Sequence, residues 1–208
     1  MKTTLIATLG FDEKFCYRAI LRHGIKEGDE VILITAEIVE KVEKAYEWIK
    51  RLIQASYSDK VAIQLIQVDV KSPVEAIKKV AELLKGAEGK VIVNLSGGMR
   101  ALVAIVLLAC LAKPKANIEI ETEDLSSLLE IPSSLLSLIK NEPSENYMEI
   151  LMAIKEGLKT VHEIAKSLGK DESTIRRQLQ ELERMELIVA EKRKPLIVKL
   201  TNFAELFV

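Results

Sequence analysis

The run Asn94-Leu95-Ser96-Gly97-Gly98-Met99-Arg100 is the stretch of this chain best suited to bind a ligand. It follows a β-branched strand-like segment at 91–93 and precedes an apolar, helix-like segment at 101–112. Adjacent glycines allow positive φ and let a ligand approach the backbone. The start of a helix presents unpaired N–H groups and the positive end of its dipole. A bound anion would offset Arg100, a cation in the first helical turn. This stretch alone fits two interpretations equally: an anion or phosphate site, or a tight strand-to-helix turn with a surface arginine.

Composition narrows the class of protein. The chain has 208 residues, 49% of them apolar, which allows one large domain or two small ones. Its net charge of −1 gives no overall basic excess for nucleic acid. Cys16 and Cys110 lack metal or redox spacing, which fits two buried thiols in a reducing cytoplasm. The N-terminal residues are typical of a strand rather than a signal peptide, and the apolar run 101–112 is too short to span a bilayer.

Strand-like and helix-like segments alternate through the first part of the chain. We expect strands at 3–8, 31–35, 61–68, 90–95 and 117–121, with helices at 12–24, 37–55, 72–84 and 101–112. This alternation predicts an α/β, Rossmann-like parallel sheet with strand order 3-2-1-4-5. That order brings the loop after the first strand, 8–14, beside the loop after the fourth, 96–100, where such sheets bind ligands.

The helix at 101–112 is apolar on every side. A domain of common size can rarely bury a peripheral helix all round. We therefore expect one side to pack on the sheet and the other on a second subunit.

The second part of the chain has the pattern of a winged helix. Residues 125–143 are apolar but punctuated by serine and end as a linker, so we predict domains at 1–124 and 144–208 joined by this connector helix or extra strand. Thr160 and Glu163 fit a capping box that opens a short helix. A third helix at 173–186 and two strands at 187–191 and 196–201 complete an α+β winged helix-turn-helix domain.

In a helix-turn-helix the third helix enters the major groove of DNA. The polar residues predicted to face outward from it suit base edges and phosphates: Ser173, Thr174, Arg176, Arg177, Gln178 and Gln180. Lys192, Arg193 and Lys194 at the hairpin tip would reach the DNA backbone or minor groove. Acidic and basic residues balance across 144–208, so a winged helix used for protein contacts is the alternative.

Several kinds of site are not indicated. The two histidines, His23 and His162, have no cysteine or carboxylate cluster around them that would suggest a metal. A Ser-His-Asp arrangement, a Walker A loop and a G-x-G-x-x-G fingerprint are also absent from the sequence. We therefore predict no catalytic residues, metal or cofactor.

Two motifs and the C-terminal region resemble a known family. Thr8-Leu9-Gly10-Phe11-Asp12 resembles the first motif of the CRISPR-associated Rossmann fold (CARF) domain, and 94–100 resembles the second. The winged helix resembles that of archaeal CRISPR-associated transcriptional regulators built as CARF plus winged helix. The resemblance covers essentially the whole chain.

The resemblance implies a homodimer that binds a cyclic oligoadenylate across its two-fold axis, with cyclic tetra-adenylate as the expected ring, and that binds double-stranded promoter DNA of CRISPR-Cas genes. Thr8, Leu9, Gly10, Phe11, Asp12 and Lys14 would line the adenine and ribose side. In the second motif, phosphates would be held by Ser96, Gly97, Gly98, Met99 and Arg100, and Asn94 would be a further ligand-binding residue.

Two other functions stay open at this point. The first is a ring nuclease fused to a DNA-binding domain, in which Ser96, Lys14 or Arg100 would assist cleavage; Asp12 is the only obvious general base in the two motifs. The second is a dimeric adaptor whose winged helix contacts other CRISPR proteins.

Overall fold

The computed structural model describes residues 1–57, 60–191 and 195–208. The chain divides into two compact units, Met1–Leu136 and Ser137–Val208. The division falls inside the segment 125–143 that the sequence assigns to a connector. Among the described residues, every helix is too short or too polar to cross a membrane.

The first unit is built on one six-stranded sheet. Its strands are β1 (Thr3–Thr8), β2 (Glu30–Thr35), β3 (Ala62–Gln67), β4 (Lys90–Asn94), β5 (Asn117–Glu121) and β6 (Leu128–Ile131). They lie in the order β3-β2-β1-β4-β5-β6. The first five are parallel, and β6 pairs antiparallel with β5 at the edge. This confirms the predicted Rossmann-like α/β fold and strand order. The connector contains the extra strand, β6.

Two layers of helices cover the sheet. The helices are α1 (Lys14–His23), α2 (Glu40–Tyr57), α3 (Pro73–Gly86) and α4 (Arg100–Ala112), and α5 (Ser133–Lys140) follows β6. Alternate residues of β1 point to opposite faces. Leu5 belongs to the core that α1 and α2 cover, and Ile6 to the core that α3 and α4 cover. The sheet is therefore buried on both faces, as its continuous apolar strands predict.

The loop before α1 differs from prediction in one detail. Glu13, rather than Asp12, is the N-cap residue, and it makes no side-chain cap. Asp12 still supports the turn, because its Oδ1 accepts a hydrogen bond from the Lys14 N–H at 2.9 Å.

An ion cluster joins α1 to β5. Arg18 Nη2 lies 2.6 Å from Glu121 Oε1, while Arg22 reaches Glu119 Oε2 at 2.8 Å and Glu121 Oε2 at 3.0 Å. His23 Nε2 also contacts Glu119. Both glutamates are buried. Burial acts to raise their pKa values, but the hydrogen bonds and charges of His23, Arg22 and Arg18 outweigh it, so the pKa of each carboxyl is lowered.

The second unit is a winged helix. It contains α6 (Glu145–Lys155), α7 (Val161–Leu168) and α8 (Glu172–Arg184), followed by the antiparallel strands β7 (Ile188–Glu191) and β8 (Ile197–Leu200). Its core combines Ile150, Ile164, Ile175 and Leu179 with residues of both strands. The predicted capping box of Thr160 and Glu163 is present at the start of α7.

We predict that Glu119→Gln lowers the free energy of unfolding by about 2 kcal/mol at neutral pH, since it weakens hydrogen bonds between charged groups. The ionised carboxylate stabilises the fold fully above its unfolded pKa of about 4.5, and this contribution is lost as pH falls through the lower folded pKa. The difference between variant and wild type in urea unfolding should therefore shrink on acidification.

Glu130→Gln is the matched control, since Glu130 lies opposite Glu119 on β6 and is exposed. An equal loss in the control, or a Glu119→Gln effect that grows as pH falls below 4.5, would contradict the role of this cluster.

Candidate functional site

The loops after β1 and β4 touch through their backbones. A Cβ atom added to Gly10 would lie 3.0 Å from Gly98 Cα. A Cβ added to Gly97 would lie 2.7 Å from the Thr8 carbonyl oxygen, closer than real Cβ atoms come. The glycines therefore allow a contact between the two loops that side chains would prevent.

Polar side chains beneath the loops fix this contact. Thr8 Oγ1 donates a hydrogen bond to the Gly97 carbonyl at 2.6 Å. Asn94 Oδ1 accepts from the Ser96 N–H at 3.2 Å, and Ser96 Oγ accepts from the Glu121 N–H at 2.7 Å. The loop after β4 is thus tied to β1 on one side and to the end of β5 on the other.

A cleft of about 680 Å³ opens where these loops meet the loop after β2. It is lined by Leu9, Gly10, Phe11, Asp12, Lys14, Phe15, Thr35, Ala36, Glu37, Val39, Val42, Ser96, Gly97, Gly98, Met99 and Glu123. The structure therefore brings most of the residues predicted to bind ligand around one cleft.

Three predicted ligand residues are not among those that line the cleft. Thr8 and Asn94 are fully buried and support the loops from below. Arg100 is exposed at the start of α4, next to the cleft residue Met99. Its guanidinium group has no hydrogen-bond or ion-pair partner among the described residues.

Sequence reasoning missed the contribution of β2. Thr35, Ala36 and Glu37 line the cleft because β2 is the neighbour of β1 and its carboxyl end lies at the same edge. The predicted strand order already contained this signal. Glu123 lies in the loop that joins β5 to β6, and the predicted order held the same signal for it, since it placed the fifth strand beside the fourth.

The N-terminus of α4 offers donors to an anion. Met99 is its extended N-cap residue and makes no side-chain cap, and Gly98 before it has φ +80°. The first N–H groups of a helix lack intrahelical partners and lie at the positive end of its dipole. An anion in the cleft can therefore be held by backbone donors alone.

The side chains around the cleft combine acidic and apolar groups. Asp12, Glu37 and Glu123 line it, and Lys14 is the one cation among the described lining residues. Lys14 Nζ lies 3.3 Å from Asp12 Oδ2, so its charge is already shared. Phe11 and Met99 are apolar yet 67% and 50% exposed. Lys41 Nζ lies 5.4 Å from the centroid of the Phe11 ring, so the opposite face of that ring and the surface of Met99 are open to a flat ring.

The predicted DNA-reading residues lie on α8. Ser173, Arg176, Arg177 and Gln180 are exposed, whereas Thr174 and Gln178 are half-buried. The buried Oε1 of Gln178 has no hydrogen-bond partner among the described residues. Lys192, Arg193 and Lys194 lie outside the described residues. No group of three metal-ligating side chains is arranged to hold a metal ion in the described ranges.

A Rossmann-like sheet with a cleft at its switch point, followed by a winged helix, defines a ligand-binding domain joined to a helix-turn-helix module. Residues 3–132 match the family described as the Csa3 CRISPR-associated Rossmann-like domain, and residues 145–189 match the bacterial regulatory protein, arsR family. The first match spans more than half of the chain, so this protein belongs to the Csa3 family. The CARF resemblance is thereby confirmed, while its archaeal type stays a prediction.

Three solved structures that are similar to this chain are distant in sequence. Can2 from Sulfobacillus thermosulfidooxidans, in complex with cyclic tetra-adenylate, is 10% identical with a TM-score of 0.44, over 99% of this chain and 63% of that one. A type III CRISPR defence DNA nuclease activated by cyclic oligoadenylate is 17% identical with a TM-score of 0.47, over 88% of this chain and 30% of that one. VC1899 from Vibrio cholerae is 13% identical with a TM-score of 0.46, over 99% of this chain and 63% of that one.

This chain thus spans less than two thirds of the length of each of these structures. A comparison with curated proteins returned no match. The family assignment therefore depends on the domain match.

We predict that Gly97→Ala destabilises the protein by about 1–3 kcal/mol, because the new methyl group forces the loop away from the Thr8 carbonyl. Gly86→Ala is the control: Gly86 ends α3, and a Cβ there meets nothing within 4 Å. Chemical denaturation should show a loss for the first variant and an unchanged or slightly higher stability for the second. Equal stability of the two variants would mean that the loops are not in close contact.

Proposed function

We propose that this protein is a homodimeric transcription regulator of CRISPR-Cas genes whose DNA affinity is set by a cyclic oligoadenylate bound in the cleft. The observation that carries the proposal is the cleft itself. The chain combines a Csa3-family domain with a helix-turn-helix. In the first domain, the contact between Gly10 and Gly98 places the start of α4, which has no side-chain cap, beside the exposed side chains of Phe11 and Met99. We propose that such a regulator is located in the cytoplasm, where it binds promoter DNA.

The chemistry of the cleft suits a nucleotide. Phosphates would bind the N–H groups at the start of α4, with Arg100 approaching from the rim. An adenine ring would pack on Phe11 or Met99, whose apolar surfaces are exposed. Thr8 and Asn94 would act indirectly, since they hold the loops in place.

Helix α4 supports a dimer. One side of it is buried against the sheet, through residues that include Leu102, Val106 and Cys110. Its other side exposes Ala101, Ala104, Leu108 and Ala112, and Leu108 is 50% exposed. A second copy packed on this stripe would double the cleft across a two-fold axis, and a ring of four repeating nucleotides has the symmetry to fill such a site. We take cyclic tetra-adenylate as the ring.

Ligand control of DNA binding requires two states of the dimer with different affinities for the ring, since equal affinity shifts no equilibrium. In the proposed mechanism the ring favours one arrangement of the paired domains, and this arrangement sets the spacing of the two α8 helices. Arg176 and Arg177, both exposed on α8, would contact DNA.

A ring nuclease is less well supported. Cleavage needs a group that takes the proton of a ribose 2′-hydroxyl. Asp12, the general base suggested by the motifs, is held by both the N–H and the Nζ of Lys14. We propose a regulator that binds the ring without cleaving it, in which any carboxylate beside a 2′-hydroxyl acts only as a hydrogen-bond acceptor; linear products in a metal-free incubation would overturn this part.

We predict saturable calorimetric binding of cyclic tetra-adenylate to the wild type, with one ring for two chains. Arg100→Ala should weaken it by roughly tenfold or more, as expected for loss of a charged hydrogen bond to phosphate. Arg51→Ala, at an exposed arginine of α2, is the control and should bind normally. If the wild type gives no heat of binding, cyclic tetra-adenylate is not its ligand. A stoichiometry of one ring per chain would contradict the proposal that two chains share one site.

We predict that the double variant Arg176→Ala plus Arg177→Ala loses the promoter footprint and has a shallower salt dependence, because phosphate and base contacts are removed. Arg184→Ala is the control, since Arg184 ends α8 and pairs with Glu181. Full, salt-dependent binding by the double variant would place the DNA contact elsewhere. Absence of saturable binding to any duplex by the wild type would favour the adaptor.

A further inference from the structure

Two carboxylates flank the cleft on opposite sides of the anion-binding loops. Glu37 follows β2 and Glu123 follows β5, and both line the cleft. Both are exposed, and within the described part of the chain neither side chain has a hydrogen-bond or ion-pair partner. The strand order β2-β1-β4-β5 puts the loops after β1 and β4 between them.

This arrangement restricts the chemistry of the ligand. Neighbouring strands lie about 4.8 Å apart, so the ends of β2 and β5 are separated by roughly 14 Å. An ionised carboxylate only accepts hydrogen bonds, and it repels a phosphate placed against it. A ligand that contacts both the anion-binding loops and the two carboxylates is anionic at its centre and carries hydrogen-bond donors towards both flanks. A nucleotide has this distribution, because its ribose hydroxyls and exocyclic amines lie outside the phosphate backbone.

The backbone around Glu37 is firmly held. Thr35 Oγ1 donates to the Glu37 carbonyl at 3.1 Å, and Gln67 Nε2 donates to the Ala36 carbonyl at 3.2 Å. The Val68 N–H donates to the Thr35 carbonyl at 2.9 Å. A carboxylate on a fixed loop is suited to recognising one donor in one position. In dinucleotide-binding sheets, an acidic residue downstream of the glycine-rich loop accepts the ribose 2′-hydroxyl.

We propose that Glu37 and Glu123 determine the specificity of the cleft by accepting hydrogen bonds from donor groups of the nucleotide, Glu37 from a ribose 2′-hydroxyl. The inference depends on the proposed function, in which the ligand is a cyclic oligoadenylate, and it adds the side chains that recognise donor groups of that ligand. The cleft then selects a ribonucleotide ring over its 2′-deoxy counterpart.

The test compares cyclic tetra-adenylate with cyclic tetra-deoxyadenylate in calorimetric titrations of the full chain. Removing a hydrogen bond to a charged group should weaken binding roughly tenfold to a hundredfold. Glu37→Gln and Glu123→Gln should each show this loss with the ribo ring. The affinity of the wild type should fall by a similar factor when the ring lacks 2′-hydroxyls. The Glu37→Gln variant should bind the deoxy ring almost as well as it binds the ribo ring, because its contact with the 2′-hydroxyl is already lost. Glu43→Gln, at an exposed glutamate of α2 that is not among the residues lining the cleft, should match wild type.

Each contrary result has its own meaning. Ribo-ring affinity that is unchanged or higher in Glu37→Gln and Glu123→Gln would overturn the inference, because the carboxylates would then only repel the ring. A full deoxy penalty that persists in Glu37→Gln would overturn the assignment of the 2′-hydroxyl. Failure of the wild type to bind the ribo ring would instead refute the proposed function itself.

Discussion

The site depends on one steric constraint: two loops from non-consecutive strands meet backbone to backbone. The strand order brings the ends of β1 and β4 together, but only the absence of side chains at Gly10 and Gly97 lets them touch. Thr8 donates a hydrogen bond across the contact and is itself buried. The cleft, the accessible start of α4 and the position of Phe11 all follow from this contact.

The contact is also linked to the rest of the first unit. Ser96 Oγ accepts the N–H of Glu121, whose side chain is bound by Arg18 and Arg22 of α1. Helix α1 follows the loop after β1, so both halves of the site are attached to the end of β5. A ligand that changed the separation of the two loops would act on this polar cluster. β5 continues into β6 and α5, and the second unit begins within α5, at Ser137.

The fold could be predicted from the sequence because its signals are local and repeated. Alternating apolar segments, the capping box of Thr160 and the glycine after α1 each act through near neighbours in the chain. The loops of the site could be paired because topology alone brings them together. The predicted strand order placed the loops of Glu37 and Glu123 at the same edge of the sheet, but it could not show that these two side chains line the cleft, since that depends on how each loop curves over the edge. Thr8 and Asn94 belonged to the motifs, yet only the structure distinguishes a residue beneath the cleft from one that lines it.

The central claim is that the cleft and the winged helix are thermodynamically coupled. The most direct test measures the affinity of the protein for promoter DNA with and without saturating cyclic tetra-adenylate, at one salt concentration. We predict a change of roughly five- to 150-fold, together with an equal change in ring affinity when DNA is bound, because such coupling is reciprocal. Saturable binding of both ligands with no effect of either on the other would contradict the claim.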